Sequence, residues 1–160
     1  GKRSDRTGNL HVTGKIGAGH GFGMAEAHGL PAAGDPPPPP TAHKVYCGNS
    51  VILARHTDID NIESLRQPEN VALLDADLLQ WPLKLRRWHE GDAFVPFGMN
   101  GRKKVSDFLI NEKVSLPEKN RQFVLVSGDD IVWVVGRRID DRYRVSDRTE
   151  NILLLRREII

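Results

Sequence analysis

The residues best suited to chemistry lie in one stretch, Gly98-Met-Asn-Gly-Arg-Lys-Lys104. Gly98 and Gly101 let the backbone approach a ligand closely. Arg102, Lys103 and Lys104 follow at once, and the spacing predicts a helix over Phe108–Val114 capped by Ser106 or Asp107. Exposed amides, a positive helix end and three cations together suit a phosphate group. A solvated basic loop with a helix cap accounts for the same residues equally well.

A second basic stretch is Gly136-Arg-Arg-Ile-Asp-Asp-Arg-Tyr-Arg144. Arg137, Arg138, Arg142 and Arg144 can grip phosphates through the planar guanidinium fork. Asp140 and Asp141 stand among them, so an ion-pair network on a sheet edge is the competing reading for about half of these arginines. Arg86 and Arg87 add two further cations ahead of Trp88. Tyr143 can stack on a base, but packing is the favoured role. Phe94 and Trp133 are expected in the core, given the area that aromatic rings bury. His89-Glu-Gly-Asp92 reads as a turn, and no Ser/His/Asp arrangement can be argued, so no catalytic residue is expected. The early Gly17-Ala-Gly-His-Gly-Phe-Gly23 lacks the following Lys-Ser/Thr of a phosphate loop.

Composition sets the frame that must position these groups. The 160 residues are 39% hydrophobic and 6% aromatic, enough for one modest core. Net charge is only +2, from 23 Lys/Arg and 21 Asp/Glu, but residues 1–82 hold seven cations against nine carboxylates while residues 83–160 hold 16 against 12. The basic half points to a polyanionic partner. The single cysteine, Cys47, excludes an internal disulfide, fits a reducing cytoplasm and argues against a structural zinc site. No apolar run is long enough to span a membrane and no signal peptide is evident, so a cytoplasmic protein without membrane contact is expected.

Along the chain, residues 1–43 form a Gly/Pro-rich segment, with Pro36 to Pro40 unbroken, and are expected to be disordered. Residues 44–68 read as a poorly defined connector, with a short hairpin around Gly48-Asn49. The folded domain is expected over residues 69–160. Val71–Ala76 suits a buried strand, and Leu83–Trp88 alternates like a strand. Pro117 can open a helical turn. Gln122–Val126 and Ile131–Val135 around Ser127-Gly-Asp-Asp130 predict the clearest hairpin. Arg142–Val145 alternates, and Ile152–Arg156 makes a final strand. The fold class is α+β: a small, mainly antiparallel sheet with one or two short helices.

Several motifs in register resemble a known family. They are Val71-Ala-Leu-Leu-Asp-Ala-Asp-Leu-Leu79, Leu83-Lys-Leu-Arg-Arg-Trp88, Gly91-Asp92, Phe94-Val-Pro-Phe-Gly-Met99, Gly101-Arg-Lys-Lys-Val-Ser-Asp-Phe108, Val132-Trp-Val-Val-Gly-Arg137 and Asp140-Asp-Arg-Tyr-Arg-Val145. Together they resemble the C-terminal domain of tRNA(Ile)-lysidine synthetase of the Bacteroidetes type, over about residues 69–157. The resemblance implies a fold related to a module of phenylalanyl-tRNA synthetase. It also implies a part in gripping tRNA(Ile), at the acceptor stem. The family's enzymes use ATP to attach lysine to the wobble cytidine. That ligation belongs to an N-terminal catalytic domain with a Ser-Gly-Gly-x-Asp-Ser loop, which this sequence lacks. No cofactor is therefore expected in this chain, with ATP and Mg2+ expected in the catalytic domain, and the chain is expected to be inactive alone. The resemblance assigns RNA contact to Arg86, Arg87, Arg102, Lys103, Lys104, Arg137, Arg138, Arg142 and Arg144. One alternative is a protein-interaction module that docks the catalytic domain or another acidic partner. Another is an RNA-binding module using Gly98-Met-Asn-Gly101 as a Gly-x-x-Gly loop.

Overall fold

The computed structural model describes residues 43–160; the Gly/Pro-rich segment lies outside these described residues but for His43. His43–Cys47 (β1) and Ser50–Asp58 (β2) form the hairpin expected at Gly48-Asn49. Val71–Asp75 (β3) follows a polar connector, and then come Lys84–Arg87 (β4), Ala93–Phe94 (β5) and Lys103–Lys104 (β6). Two short helices, Val105–Asn111 (α1) and Leu116–Asn120 (α2), lead into Phe123–Ser127 (β7) and Asp130–Val134 (β8). Arg138–Ile139 (β9) and Asn151–Ile159 (β10) complete the chain of elements.

These strands make two antiparallel four-stranded sheets, ordered β1-β2-β10-β3 and β4-β7-β8-β9, plus the small β5-β6 ladder. The expected antiparallel architecture with two short helices is present, with its strands divided between two sheets; the first is held together by β10, nine residues long and paired on both edges. Its partner β2 belongs to the segment read as connector, so the folded unit takes in residues from His43 onward.

The second sheet is the middle layer. One face, with Leu85, Leu125 and Trp133, packs on Ile52, Leu74, Leu153 and Leu155 of the first sheet. The other face, with Val124, Val126, Ile131 and Val134, packs under α1. Alternation along β7 serves both faces at once, which is why its whole run reads as apolar. A register irregularity opposite Leu125/Val126 leaves Val132 unpaired between Ile131 and Trp133. Val132 and Trp133 consequently join the same cluster, as a β-bulge permits.

Helix α1 starts three residues earlier than expected. Its N-cap is Lys104, without a side-chain cap bond, so neither Ser106 nor Asp107 caps it. Packing outweighs capping here. Val105, Phe108 and Leu109, at i, i+3 and i+4, are all buried, and each large side chain so buried stabilises by about 1.5–3 kcal/mol. Phe108 meets Phe94 edge to face at 5.2 Å. Helix α2 has the cap α1 lacks: the Ser115 hydroxyl accepts from Glu118 N–H, with Pro117 in the first turn. No helix among the described residues is long and apolar enough to cross a membrane.

His56 on β2 lies 5.5 Å from the Trp81 ring. Burial, and secondarily the neighbouring His43, holds its pKa below the ordinary 6.5. The unfolded chain then takes up the proton more readily than the folded one. The stability His56 protects is complete above about pH 6.5 and is lost as pH falls through that value toward the folded pKa. The urea midpoint is expected to drop between about pH 7 and pH 5, and His56→Gln to flatten that drop. An equal drop in the variant would assign it to another group.

Candidate nucleic-acid interface

The first basic stretch is the loop and return strand of the β5–β6 ladder, with Phe94 paired to Lys103 and Ala93 to Lys104. Gly98 and Gly101 sit at φ +84 and +86, where a side chain is strained. Gly98 N–H donates to Asp141 Oδ1 at 3.3 Å, and Met99 N–H to the Pro96 carbonyl at 2.9 Å. Arg102, Lys103 and Lys104 line an open depression of about 420 Å³ with Asp107, Ile110 and Asn111. None of the three cations makes an ion pair or a side-chain hydrogen bond among the described residues.

The second basic stretch is a spatial neighbour of the first. Phe97 N–H donates to the Ile139 carbonyl at 3.0 Å, and Asp141 N–H to the Val95 carbonyl at 2.7 Å. Its charges, however, are engaged within the chain. Arg142 grips the fully buried Asp140 through Nε and Nη2, both at 2.9 Å, and approaches Asp130 at 3.6 Å. Asp140 also accepts from the amides of Val95 and Arg142, at 2.9 and 2.8 Å. These bonds shape Asp141–Tyr143 into a single 3-10 turn, not the strand that alternation predicts over Arg142–Val145. Arg137 donates to Gln122 Oε1 at 2.8 Å and Glu118 Oε1 at 3.1 Å. Arg138 lies 5.3 Å over the Phe108 ring and 3.6 Å from Glu112. Arg144 is the most loosely held, 3.7 Å from Asp141.

Two more arginines of the candidate set lie on β4. Arg86 makes a bidentate pair with Asp92, at 2.9 and 3.0 Å, and the Asp92 side chain is only 7% exposed. Arg87 donates to the Asn120 carbonyl at 3.0 Å and lies 5.4 Å over Phe123.

Charge availability therefore divides the nine candidates. Arg86 and Arg142 are internal clamps. Arg137, Arg138 and Arg144 have carboxylate neighbours. Arg87 is held by a carbonyl and a ring but meets no carboxylate among the described residues, and Arg102, Lys103 and Lys104 are uncommitted. Sequence reasoning passed over Arg121 and Arg157, which also lack carboxylate partners among the described residues. No local signal marks them, because they come from distant segments.

The aromatic residues sort as their size suggests. Phe94 and Trp133 are fully buried, while Phe97 is 47% exposed. The Tyr143 hydroxyl donates to Asp130 at 2.7 Å, and burial, with that bond, pushes its pKa up to about 12. Its role is packing and pairing. The Cys47 thiol is likewise pushed up to about 11 by burial, against a smaller opposing effect of Arg157. Among the described residues, no group of three His, Cys, Asp or Glu side chains could hold a metal ion.

Residues 83–155 match the family model described as the TilS substrate C-terminal domain. A tRNA(Ile)-lysidine synthase of Parabacteroides distasonis is 50% identical over 91 residues, covering 57% of this chain and 21% of that protein. The Bacteroides thetaiotaomicron protein of the same name is 42% identical over 86 residues, 54% of this chain and 20% of its own length. That of Porphyromonas gingivalis is 33% identical over 118 residues, 70% and 26% respectively. The chain thus spans only 20–26% of these relatives. The fold is that of a crystal structure of a TILS C-terminal domain, with TM-score 0.62, 20% identity, and coverage of 70% of this chain and 85% of that one.

Proposed function

We propose that the chain, whose residues 83–155 match the family model described as the TilS substrate C-terminal domain, binds tRNA(Ile), at the acceptor stem, as the non-catalytic module of a tRNA(Ile)-lysidine synthase. The observation that carries this reading is the set Arg102, Lys103 and Lys104: three consecutive cations on a glycine-bounded turn, uncommitted among the described residues and lining one depression. A helical RNA presents phosphates in a fixed array, and the β5–β6 ladder fixes the spacing of Lys103 and Lys104. Arg144, loosely paired and exposed, extends the contact face toward β9. The ligation, with its ATP and Mg2+, belongs to the catalytic part of the enzyme, and this chain gives it a grip on the substrate.

Affinity for a tRNA(Ile) transcript is expected to fall with salt. Each neutralised phosphate contributes a slope of about −0.7 to −0.9 in log K against log salt, so three contacts give roughly −2 to −3. A flat salt response would sink the electrostatic reading.

The competing reading is a docking surface for the catalytic domain. It draws on Ile110, which is 60% exposed beside the cations. Ile110→Glu distinguishes the two. Loss of association with the catalytic domain at unchanged tRNA affinity would favour docking.

A further inference from the structure

A second cationic site lies apart from Arg102–Lys104, between the β1–β2 turn and the junction of α2 with β7. Its cleft, of about 240 Å³, is lined by Arg87, Arg121, Arg137 and Arg157 with a single carboxylate, Glu118. We propose that this cleft binds a phosphate group.

The argument rests on how the guanidiniums are held. Arg157 Nε donates to Ser50 Oγ at 3.0 Å. Its guanidinium lies over Gly136, where an added Cβ would come within 2.8 Å of Nη1; glycine leaves room for the arginine. Arg87 is oriented by the Asn120 carbonyl and the Phe123 ring. Arg137 is oriented by Gln122, whose amide donates in turn to the Phe123 and Val135 carbonyls at 2.8 Å. Only Arg137 also meets a carboxylate, Glu118, whose side chain is 55% exposed. Arg121 has no side-chain partner among the described residues.

Carbonyl, hydroxyl, amide and ring contacts fix a guanidinium without cancelling its charge. Arg86 and Arg142 show the opposite case, each neutralised by a buried carboxylate. The cleft therefore concentrates four positive charges against one negative, with three of the forks already oriented. A phosphate oxygen set complements that array, because it accepts paired N–H donors from planar forks. The volume decides between a phosphate and a whole nucleotide, since pockets for larger ligands run to about 300–1,000 Å³. The phosphate can come from a polynucleotide backbone or from a free phosphate compound. Both offer the same chemistry to the cleft.

The test is a titration of the full chain with inorganic pyrophosphate, followed by amide resonances. Saturable shifts are expected at Asn49, Gln122 and Gly136. Arg121→Glu removes no internal bond, so it is expected to keep the unfolding midpoint while weakening pyrophosphate binding by about tenfold or more. Arg157→Lys is expected to weaken it as well, since Lys keeps the charge but loses the fork. Shifts gathered at Arg102–Lys104 instead, or an Arg121→Glu variant that titrates like the parent, would overturn the proposal. Adding tRNA identifies the source. Displacement of pyrophosphate points to an RNA phosphate, and simultaneous binding points to a free phosphate compound. Failure of RNA binding at Arg102–Lys104 would leave the pyrophosphate result standing.

Discussion

Replacing Asp140 with alanine is expected to remove a large share of the stability of the fold without removing an apolar side chain. The Asp140 side chain is fully buried, and its two oxygens take N–H bonds from Val95, from the Arg142 amide and from two nitrogens of the Arg142 guanidinium. Its own amide donates to the carbonyl of Val132, the unpaired residue of the β8 bulge, at 2.8 Å. The carboxylate thus joins the chain just after β5 to the 3-10 turn after β9, while the tie to β8 is a backbone bond that the substitution leaves in place. Removing it strands an arginine and two amides. Arg142, 37% exposed and also near Asp130, regains water, so the main loss is at the two stranded amides, about 1–3 kcal/mol each, against a total of about 5–15 kcal/mol for a typical domain. Asp140→Asn keeps one acceptor oxygen and is expected to fall between the parent and the alanine variant. Urea unfolding of the three proteins is the measurement. An Asp140→Ala midpoint within about 0.5 kcal/mol of the parent, the range of ordinary surface substitutions, would show that the cluster is dispensable.

The second large effect is on binding. Reversing Arg102, Lys103 and Lys104 together to glutamate is expected to weaken the tRNA(Ile) complex by about a hundredfold or more. Bonds to charged groups contribute about 1.5–3 kcal/mol each, and about 1.4 kcal/mol is tenfold in affinity. The salt slope is expected to become shallower by about 2 to 3. Because these side chains hold no internal partner among the described residues, the unfolding midpoint is expected to stay close to the parent's. That separates the variant from Arg142→Glu, which attacks the Asp140 cluster and weakens folding first. A triple variant that keeps affinity within about threefold of the parent, well under 1 kcal/mol, would remove these residues from the interface.

The elements that were legible in the sequence are those decided by neighbours in the chain. The β7–β8 hairpin follows from two apolar runs around Ser127-Gly-Asp-Asp130, and α2 from Pro117, although its Ser115 cap went unread. What escaped depends on partners far away. The alternation of Arg142–Val145 is a strand signal, but the buried Asp140 carboxylate wins that segment for a 3-10 turn. Val132 breaks the period of β8 because Leu125 and Val126 face it across the bulge, and nothing local announces that. The same holds for the charges. Counting arginines located the basic stretches, and the fold makes them neighbours. Which cations remain available follows from acids such as Asp92 and Glu118, whose positions only the folded chain defines. The cleft arginines, brought in from β4, the end of α2, the β8–β9 link and β10, are invisible to any motif.

The place of β10 has a consequence for biogenesis. This strand sits between β2 and β3 and takes part in two of the first sheet's three ladders. A ribosome delivers it last of the ten. Until Asn151–Ile159 leaves the exit tunnel, β3 has no ladder partner beyond the single Leu74–Arg144 bridge, and the β1–β2 hairpin must wait as a marginal two-stranded ribbon. Assembly of this layer consequently waits for its last strand, slow in the manner of folds rich in distant pairings, and the nascent chain spends that interval with Ile52, Leu74 and their neighbours open to chaperones.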